Sequence, residues 1–216
     1  QQKTTAVLFD LRTNKILESY NVHLKLPIAS VAKAVTAVYG TEVIGGEYQF
    51  ATKLFSNGEL RDGILEGNLY LRGGADPSLT TDDLFNFVDV LKAIGVKKVS
   101  GKFFFTSDVI PDFLTIDPTQ PPQESFNPGF SSLNLNNNKV LFSWERKNNE
   151  YDFNLSTRSS KYSSNVPTIG IFEKNHSSPV FEYVLEHKPN FEKWTVSRKI
   201  LGKKGARWLP VRLTAA

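Results

Sequence analysis

A serine and a lysine three positions apart are the residues of this sequence whose types and spacing best fit catalysis. Ser30 is followed by Lys33, and no other serine in the chain has a lysine at this spacing. On a helix, residues i and i+3 share a face with Cβ atoms about 5–6 Å apart, so the Lys33 amine can reach the Ser30 hydroxyl. A serine hydroxyl becomes a strong nucleophile only when a neighbouring base takes its proton. We therefore predict Ser30 as a nucleophile and Lys33 as its base.

The same pair also has a plain structural interpretation. Serine is a common N-cap, and lysine is common on exposed helix faces. The context favours chemistry, because small apolar residues surround the pair and Lys33 is the one charge in the first three turns of the predicted helix. Desolvation beside Val31 and Ala34 would favour the neutral amine that a base requires. The helix N-terminus, including the Ser30 backbone N–H, would stabilise a developing oxyanion.

A hairpin and a helix are expected to position this pair. Apolar residues at 4–11 and 16–20 flank a polar turn at 12–15, which predicts a β-hairpin. A helix is predicted from Ser30 onward, with Gly45 and Gly46 as its stop. Its alanine-rich, smooth surface is typical of a buried helix.

The rest of the sequence predicts short strands and one amphipathic helix. Asn-Gly, Asp-Gly and Glu-Gly pairs divide residues 50–71 at the spacing of a β-meander. A helix should begin after Thr80 or Thr81, carry Asp82 and Asp83 in its first turn, and stop at Gly95. Further strands are predicted at 102–105, at 140–144 paired with 151–155, and at 168–172, 180–185 and 194–196.

The predicted fold class is mixed α and β (α+β). Strict βαβ alternation is missing, which argues against a doubly wound nucleotide-binding sheet. Five of the eleven prolines lie within 111–128, which predicts a long ordered loop or lid. The three tryptophans are predicted to pack in cores: Trp144, Trp194 and Trp208.

Composition excludes several classes of site. The chain has no cysteine, which excludes disulfides, thiolate zinc sites and cysteine nucleophiles. Its net charge is +4, but acids are interspersed among the basic residues, which is typical of a solvated surface rather than a nucleic-acid site. His23, His176 and His187 lack metal-ligand spacing, and Gly73-Gly74 lacks the lysine and hydroxyl of a phosphate loop. We expect no metal, no cofactor and no nucleic-acid partner. Peripheral contact with a membrane or an anionic cell-wall polymer is compatible with the basic charge.

Several segments resemble, in order, those of the class C low-molecular-mass penicillin-binding proteins, the D-Ala-D-Ala carboxypeptidase/endopeptidase family. The active-site helix of that family is similar to residues 26–37, LPIASVAKAVTA. Later segments that resemble the family are GNLYLRGGADPSL at 67–79, GVKKVSG at 95–101, SSLNLN at 131–136 and GARWLPV at 205–211. The resemblance implies the N-terminal part of a penicillin-binding/β-lactamase-like transpeptidase domain with a strand-rich inserted region.

The resemblance also implies a division of the chain. Residues 1–53 would begin the penicillin-binding domain, 54–204 would be the insertion, in two nested subdomains, and 205–216 would return to the first domain. The family further requires Ser-x-Asn and Lys-Thr-Gly motifs. Four Ser-x-Asn matches, at Ser19, Ser125, Ser132 and Ser163, show how weak that pattern is, and we assign none of them a catalytic role. Nor do we assign one to the Lys-Lys-Gly at 203–205, which lacks the hydroxyl. In the family both motifs follow the Trp-Leu-Pro-Val segment, so we expect this sequence to be an N-terminal portion.

By this resemblance, the protein is expected to be a periplasmic serine D-Ala-D-Ala carboxypeptidase or endopeptidase, exported with its signal peptide removed. It would act on peptidoglycan peptides through an acyl-enzyme at Ser30, and β-lactams would acylate the same residue as covalent inhibitors. A non-catalytic cell-wall binding or scaffolding protein is the alternative. A third possibility is a β-lactamase or esterase, which would share the Ser-Lys pair and differ in the deacylation step. The sequence leaves open the preference between carboxypeptidase and endopeptidase action, the oligomeric state and the role of the insertion.

Overall fold

The chain forms two compact units, residues 1–49 and 50–216. The structure, a computed structural model, describes residues 3–184 and 191–212. Both units combine strands with a helix, so the predicted mixed α and β class is confirmed. Neither of the two α-helices in the described ranges has the length and apolar character of a membrane span.

The first unit begins with the predicted hairpin. Strands β1 (Ala6–Asp10) and β2 (Lys15–Tyr20) pair in antiparallel fashion. The Asp10 carboxylate fixes the turn, because it accepts hydrogen bonds from the Thr13 hydroxyl at 2.7 Å and from the backbone N–H of Arg12 at 2.9 Å. These bonds stabilise the charged form and hold the pKa of Asp10 below its ordinary value.

Helix α1 (Ala32–Ile44) follows a 3-10 turn (Ala29–Val31) and ends at Gly45, whose φ is +85°. The predicted start and stop are confirmed, but the predicted burial is wrong. All residues of α1 are described and none is buried; Val35 is 70% exposed and Tyr39 69% exposed. A helix with apolar residues on every side is typical of a buried position, and the other elements of the first unit do not cover α1.

The turns predicted within residues 50–72 are present, but the predicted meander is wrong. The strands of this region are β3 (Lys53–Ser56), β4 (Glu59–Arg61), β5 (Ile64–Glu66), β6 (Leu69–Arg72), β7 (Lys98–Val99) and β8 (Phe103–Thr106). β3 pairs with β6 in the sheet β3-β6-β8, whereas β4 pairs with β5 in a separate sheet, β4-β5-β7. The reason is a close crossing of the chain, since a Cβ on Gly67 would lie 2.6 Å from Gly58 Cα.

Helix α2 (Thr81–Ala93) has the predicted caps. The Thr80 hydroxyl accepts from the Asp83 backbone N–H at 3.3 Å, and the Asp83 carboxylate accepts from the Thr80 N–H at 2.8 Å. This capping box satisfies two otherwise unpaired donors at the helix start. Gly95, with φ of +93°, follows the helix end.

The Gly73-Gly74 corner is a packing motif. A Cβ on Gly73 would lie 2.6 Å from the carbonyl carbon of Ser132, and one on Gly74 would lie 2.5 Å from that of Ala51. Ala75 donates its backbone N–H to Ser132 O at 2.7 Å. The resembling segment 67–79 therefore contains glycines where two backbones approach too closely for any side chain.

The proline-rich segment 111–128 is an ordered loop without helix or strand, as predicted. Asn127 accepts from the Asp117 N–H and donates to the Asp117 carbonyl, both at 2.8 Å. Buried Arg212 donates its guanidinium to the carbonyls of Leu114 at 2.8 Å and Pro122 at 2.5 Å. The loop is therefore held by side chains that replace the missing strand pairing.

The remaining strands form the main core. They are β9 (Lys139–Lys147), β10 (Glu150–Arg158), β11 (Ser163–Asn165), β12 (Ile169–Lys174), β13 (Phe181–Val184), β14 (Glu192–Ser197) and β15 (Lys204–Pro210). Their order is β11-β10-β9-β15 in one sheet and β12-β14-β13 in another, and Phe142, Trp194 and Leu209 are fully buried. The predicted strand pair is confirmed as β9 with β10, and the later predicted strands are confirmed as β12, β13 and β14. Position 185, at the end of one predicted strand, lies outside the described residues.

The tryptophan prediction holds for two residues. Trp194 is fully buried, and Trp144 packs against the core and donates its indole N–H to Gly202 O at 2.9 Å. Trp208 is 39% exposed, so its predicted core position is wrong. The reason is that successive side chains of a strand point to opposite faces, and Leu209, the next residue of β15, points to the buried face.

The compact units and the domains expected from the resemblance are different divisions of the chain. The boundary between the units falls between residues 49 and 50, and β15 pairs with β9 inside the second unit. The division at 53 and 204, with 205–216 assigned to the first domain, stays a prediction.

Candidate active site

The Ser30 hydroxyl and the Lys33 amine lie together at the start of α1. Lys33 Nζ donates to Ser30 Oγ at 2.9 Å, within the 3-10 turn and the first helical turn. Ser30 occupies neither capping position, because the N-caps of the 3-10 turn and of α1 are Ile28 and Val31. Local helix geometry therefore directs the hydroxyl toward the lysine, and the N-cap interpretation of this serine does not apply.

The backbone just before Ser30 is strained. Ala29 has φ of +43°, in the left-handed region, which costs an L-residue about 1–2 kcal/mol. Pro27 precedes it by two residues, and the Val31 N–H donates to Ile28 O at 2.9 Å to close the 3-10 turn. Strained residues of this kind cluster at functional sites, where they fix a reacting group in one orientation. The sequence gives no indication of this strain, because an alanine carries no signal for positive φ.

The pair is open to solvent among the described residues. Ser30 and Lys33 are both exposed, and Val31 is 68% exposed. The predicted desolvation of the lysine is therefore wrong for this chain as described. The reason is the exposed surface of α1, which leaves the Lys33 side chain in contact with water.

Residues of two Ser-x-Asn matches and of the Lys-Lys-Gly sequence form hydrogen bonds that stabilise the second unit. Ser132 is 1% exposed, and its hydroxyl accepts from the backbone N–H groups of Val109 and Ile110, both at 2.8 Å. Asn127 holds the proline loop, as described above. Lys204, in the Lys-Lys-Gly sequence, donates to Glu145 Oε1 at 3.1 Å on the surface.

Acids and histidines form no metal site within the described ranges. The Asp82 carboxylate accepts from the Ser159 hydroxyl at 2.5 Å and from the Tyr162 N–H at 2.9 Å, which ties α2 to the β10–β11 turn. The Ser159 hydrogen bond is the main reason that the pKa of Asp82 lies below its ordinary value. His176 is half-buried, and its two ring nitrogens are buried without a hydrogen-bond partner. His187 lies outside the described residues.

The second unit also contains a buried charged cluster that no pattern in the sequence indicated. Glu192 is 1% exposed and Arg212 3%, and Glu192 Oε1 accepts from the Arg212 backbone N–H at 2.5 Å. The Arg212 guanidinium lies over the Tyr183 ring at 5.5 Å. Burial raises the pKa of Tyr183 and lowers that of Arg212. The hydrogen bonds from Arg212 to the proline-rich loop give the cluster a structural role.

Comparison with known proteins adds a family match. The model of the D-Ala-D-Ala carboxypeptidase 3 (S13) family matches residues 1–178, a range that includes Ser30 and Lys33. The D-alanyl-D-alanine carboxypeptidase DacB of Haemophilus influenzae is 35% identical over 100 residues, which cover 46% of this chain and 21% of that protein. The D-alanyl-D-alanine carboxypeptidase of Actinomadura sp. is 29% identical over 126 residues, covering 56% and 22%.

Solved structures share the fold. The crystal structure of penicillin binding protein 4 (dacB) from Haemophilus influenzae matches with a TM-score of 0.65 at 24% identity, over 96% of this chain and 47% of that one. The same protein complexed with a novel β-lactam matches with a TM-score of 0.63 at 22% identity, over 99% and 46%. The chain spans about half the length of these solved relatives.

Proposed function

This chain belongs to the D-Ala-D-Ala carboxypeptidase 3 (S13) family, and on that premise we propose that the protein is a serine D-Ala-D-Ala carboxypeptidase or endopeptidase acting on peptidoglycan peptides. The observation that carries the proposal is the 2.9 Å separation of Ser30 Oγ and Lys33 Nζ. That separation lies within the reach of direct proton transfer, about 2.6–3.2 Å. Ser30 is the proposed nucleophile and Lys33 the proposed base.

The proposed reaction proceeds through an acyl-enzyme. Lys33, as a neutral amine, takes the Ser30 hydroxyl proton while Oγ attacks the carbonyl carbon of the penultimate D-alanine. The Ser30 backbone N–H, at the positive end of α1, contributes to stabilising the oxyanion. The peptide C–N bond then breaks, the departing D-alanine amine takes the proton, and water hydrolyses the ester to restore Ser30.

The strained Ala29 supports this assignment of Ser30. Its left-handed backbone fixes the direction in which the chain enters the 3-10 turn, and so the position of the Ser30 N–H and hydroxyl. The exposure of Lys33 sets a requirement on the mechanism, because burial favours the neutral amine that a base requires and Lys33 is exposed. Catalysis therefore requires a cover over the pair that excludes water.

The proposal extends to partners and location. A β-lactam presents a strained amide carbonyl to the same nucleophile, so we expect it to acylate Ser30 covalently. Peptidoglycan peptides as substrates imply a periplasmic protein. The full reaction, including the endopeptidase action, is proposed for the whole protein.

A non-catalytic cell-wall binding protein is the second candidate. The observation that favours it is the exposure of Ser30 and Lys33, which leaves the lysine solvated. The two candidates differ in one measurable property, since only the enzyme forms a covalent adduct with a β-lactam.

Intact-mass spectrometry of the protein expressed from its complete gene, incubated with benzylpenicillin, tests the proposal. We expect one adduct on the wild type, none on Ser30→Ala, and acylation slower by roughly 100-fold or more in Lys33→Ala. Ser19→Ala and Lys25→Ala are matched controls from the same unit, and both should acylate at the wild-type rate. If the folded wild type formed no adduct, the enzyme hypothesis would be refuted and the binding-protein hypothesis favoured.

A further inference from the structure

An apolar cavity in the second unit is lined by helix α2, by the sheet β3-β6-β8 and by the first residues of β9 and β12. Its volume is about 390 Å³. Its lining includes Leu84 and Phe87 of α2 and Leu71 and Phe105 of the sheet. Its rim is open, because Phe105 is 45% exposed and Val88 of α2 is 40% exposed.

This cavity is too large to be an ordinary packing defect. Protein interiors are packed to about 0.75 of their volume, and voids larger than one water molecule are few. An apolar void of this size attracts an apolar ligand, because water inside it would find few partners. Its volume lies toward the lower end of the roughly 300–1,000 Å³ range of small-molecule sites, which suits one acyl chain rather than two.

The two buried amides of the lining are already used by the protein. Asn136 donates to the Thr81 hydroxyl at 2.8 Å and accepts from the Thr81 backbone N–H at 3.1 Å. Asn138 donates to Gly129 O at 2.9 Å. Of the 21 residues that line the cavity, 16 are Leu, Val, Ile or Phe, so its walls are mostly apolar and favour a hydrocarbon chain.

Lysines border a second depression that adjoins the cavity. The two spaces share Val88 and Leu91 of α2 in their linings, and the depression is also lined by Lys92, Lys97 and Lys98. The backbone N–H groups of Lys97 and Lys98 both donate to Gly63 O, at 2.7 and 3.2 Å, which fixes their positions. Within the described part of the chain, no carboxylate forms an ion pair with either side chain.

We propose that this site binds an anionic amphiphile with a single acyl chain, with the chain in the cavity and the acidic head group on Lys97 and Lys98. The apolar volume and the cationic border match the two halves of such a molecule. The site lies in the second unit and uses neither Ser30 nor Lys33, so it is independent of the proposed hydrolase activity.

Isothermal titration of the 216-residue chain with dodecanoate, dodecanol and dodecylammonium, each below its micelle concentration, tests the proposal. Dodecanoate should bind saturably with one site, and about tenfold more tightly than dodecylammonium, because each nearby lysine attracts an anionic head group. The Lys97→Glu/Lys98→Glu variant should abolish this discrimination. A control with the same change in charge, Lys199→Glu/Lys203→Glu, should retain it.

The cavity itself is tested with two variants of α2. Val88→Phe narrows the cavity and should weaken dodecanoate binding at least tenfold, whereas Val90→Phe, on a side chain 58% exposed and outside the lining, should leave it unchanged. Circular dichroism verifies that both variants fold. Absence of saturable binding to the folded wild type, equal affinity for the three ligands, or equal effects of the two phenylalanine variants would each overturn the proposal.

Discussion

Gly74→Ala is expected to destabilise the second unit strongly. The added Cβ would lie 2.5 Å from the Ala51 carbonyl carbon, 0.9 Å short of the 3.4 Å at which ordinary contact begins, and it would meet the carbonyl oxygen as well. Both neighbours are backbone atoms, so a side-chain rotation cannot relieve the clash. The backbone is held nearby by the pairing of Lys53 with Arg72 in β3 and β6. We expect a loss of about 3 kcal/mol in the free energy of unfolding.

Urea denaturation followed by tryptophan fluorescence measures this loss. All three tryptophans lie in the second unit, so the signal reports on that unit. Gly202→Ala is the matched control, because nothing lies within 4 Å of its added Cβ, and its effect should stay within about 0.5 kcal/mol. If Gly74→Ala proved no more destabilising than Gly202→Ala, the close approach of the two backbones at this corner would be refuted.

Three further perturbations test the caps, the core and the charges of the second unit. Thr80→Ala removes half of the capping box and should lower the free energy of unfolding by about 1 kcal/mol in urea titrations. Phe142→Ala should cost about 3–5 kcal/mol because the side chain is fully buried, whereas Phe172→Ala, at a residue 47% exposed, should cost much less in the same assay. Asp82→Asn should lower the thermal midpoint at neutral pH. That difference should shrink as the pH falls below 3.8, because a carboxylate with a lowered pKa stabilises the fold only while it is charged; a difference independent of pH would contradict this reasoning.

The family resemblance inferred from sequence segments is confirmed by the match over residues 1–178. The Ser30–Lys33 pair could be found from sequence because its geometry is local, since i and i+3 on one helix start meet whatever surrounds them. The strain at Ala29 and the exposure of the pair could not be predicted. Both depend on how the chain enters and covers the helix, which no local pattern encodes.

The sequence by itself determined the local elements. The β1–β2 hairpin, the start and stop of α1 and α2, the irregular proline loop and the β9–β10 pair all follow from turn residues, caps and periodicity within a few positions. These features involve contacts between near neighbours, so residue types and spacing contain the necessary information.

Only the tertiary structure decided which distant segments meet. It divided residues 53–72 between two sheets, placed β12 parallel to β14, and brought Gly74 against Ala51 and Arg212 against the proline loop. It also left α1 exposed where its composition predicted burial. The physical reason is that strand partners, close backbone approaches and burial depend on the free energy of packing the whole unit, and a strand's sequence is compatible with many partners until that packing selects one.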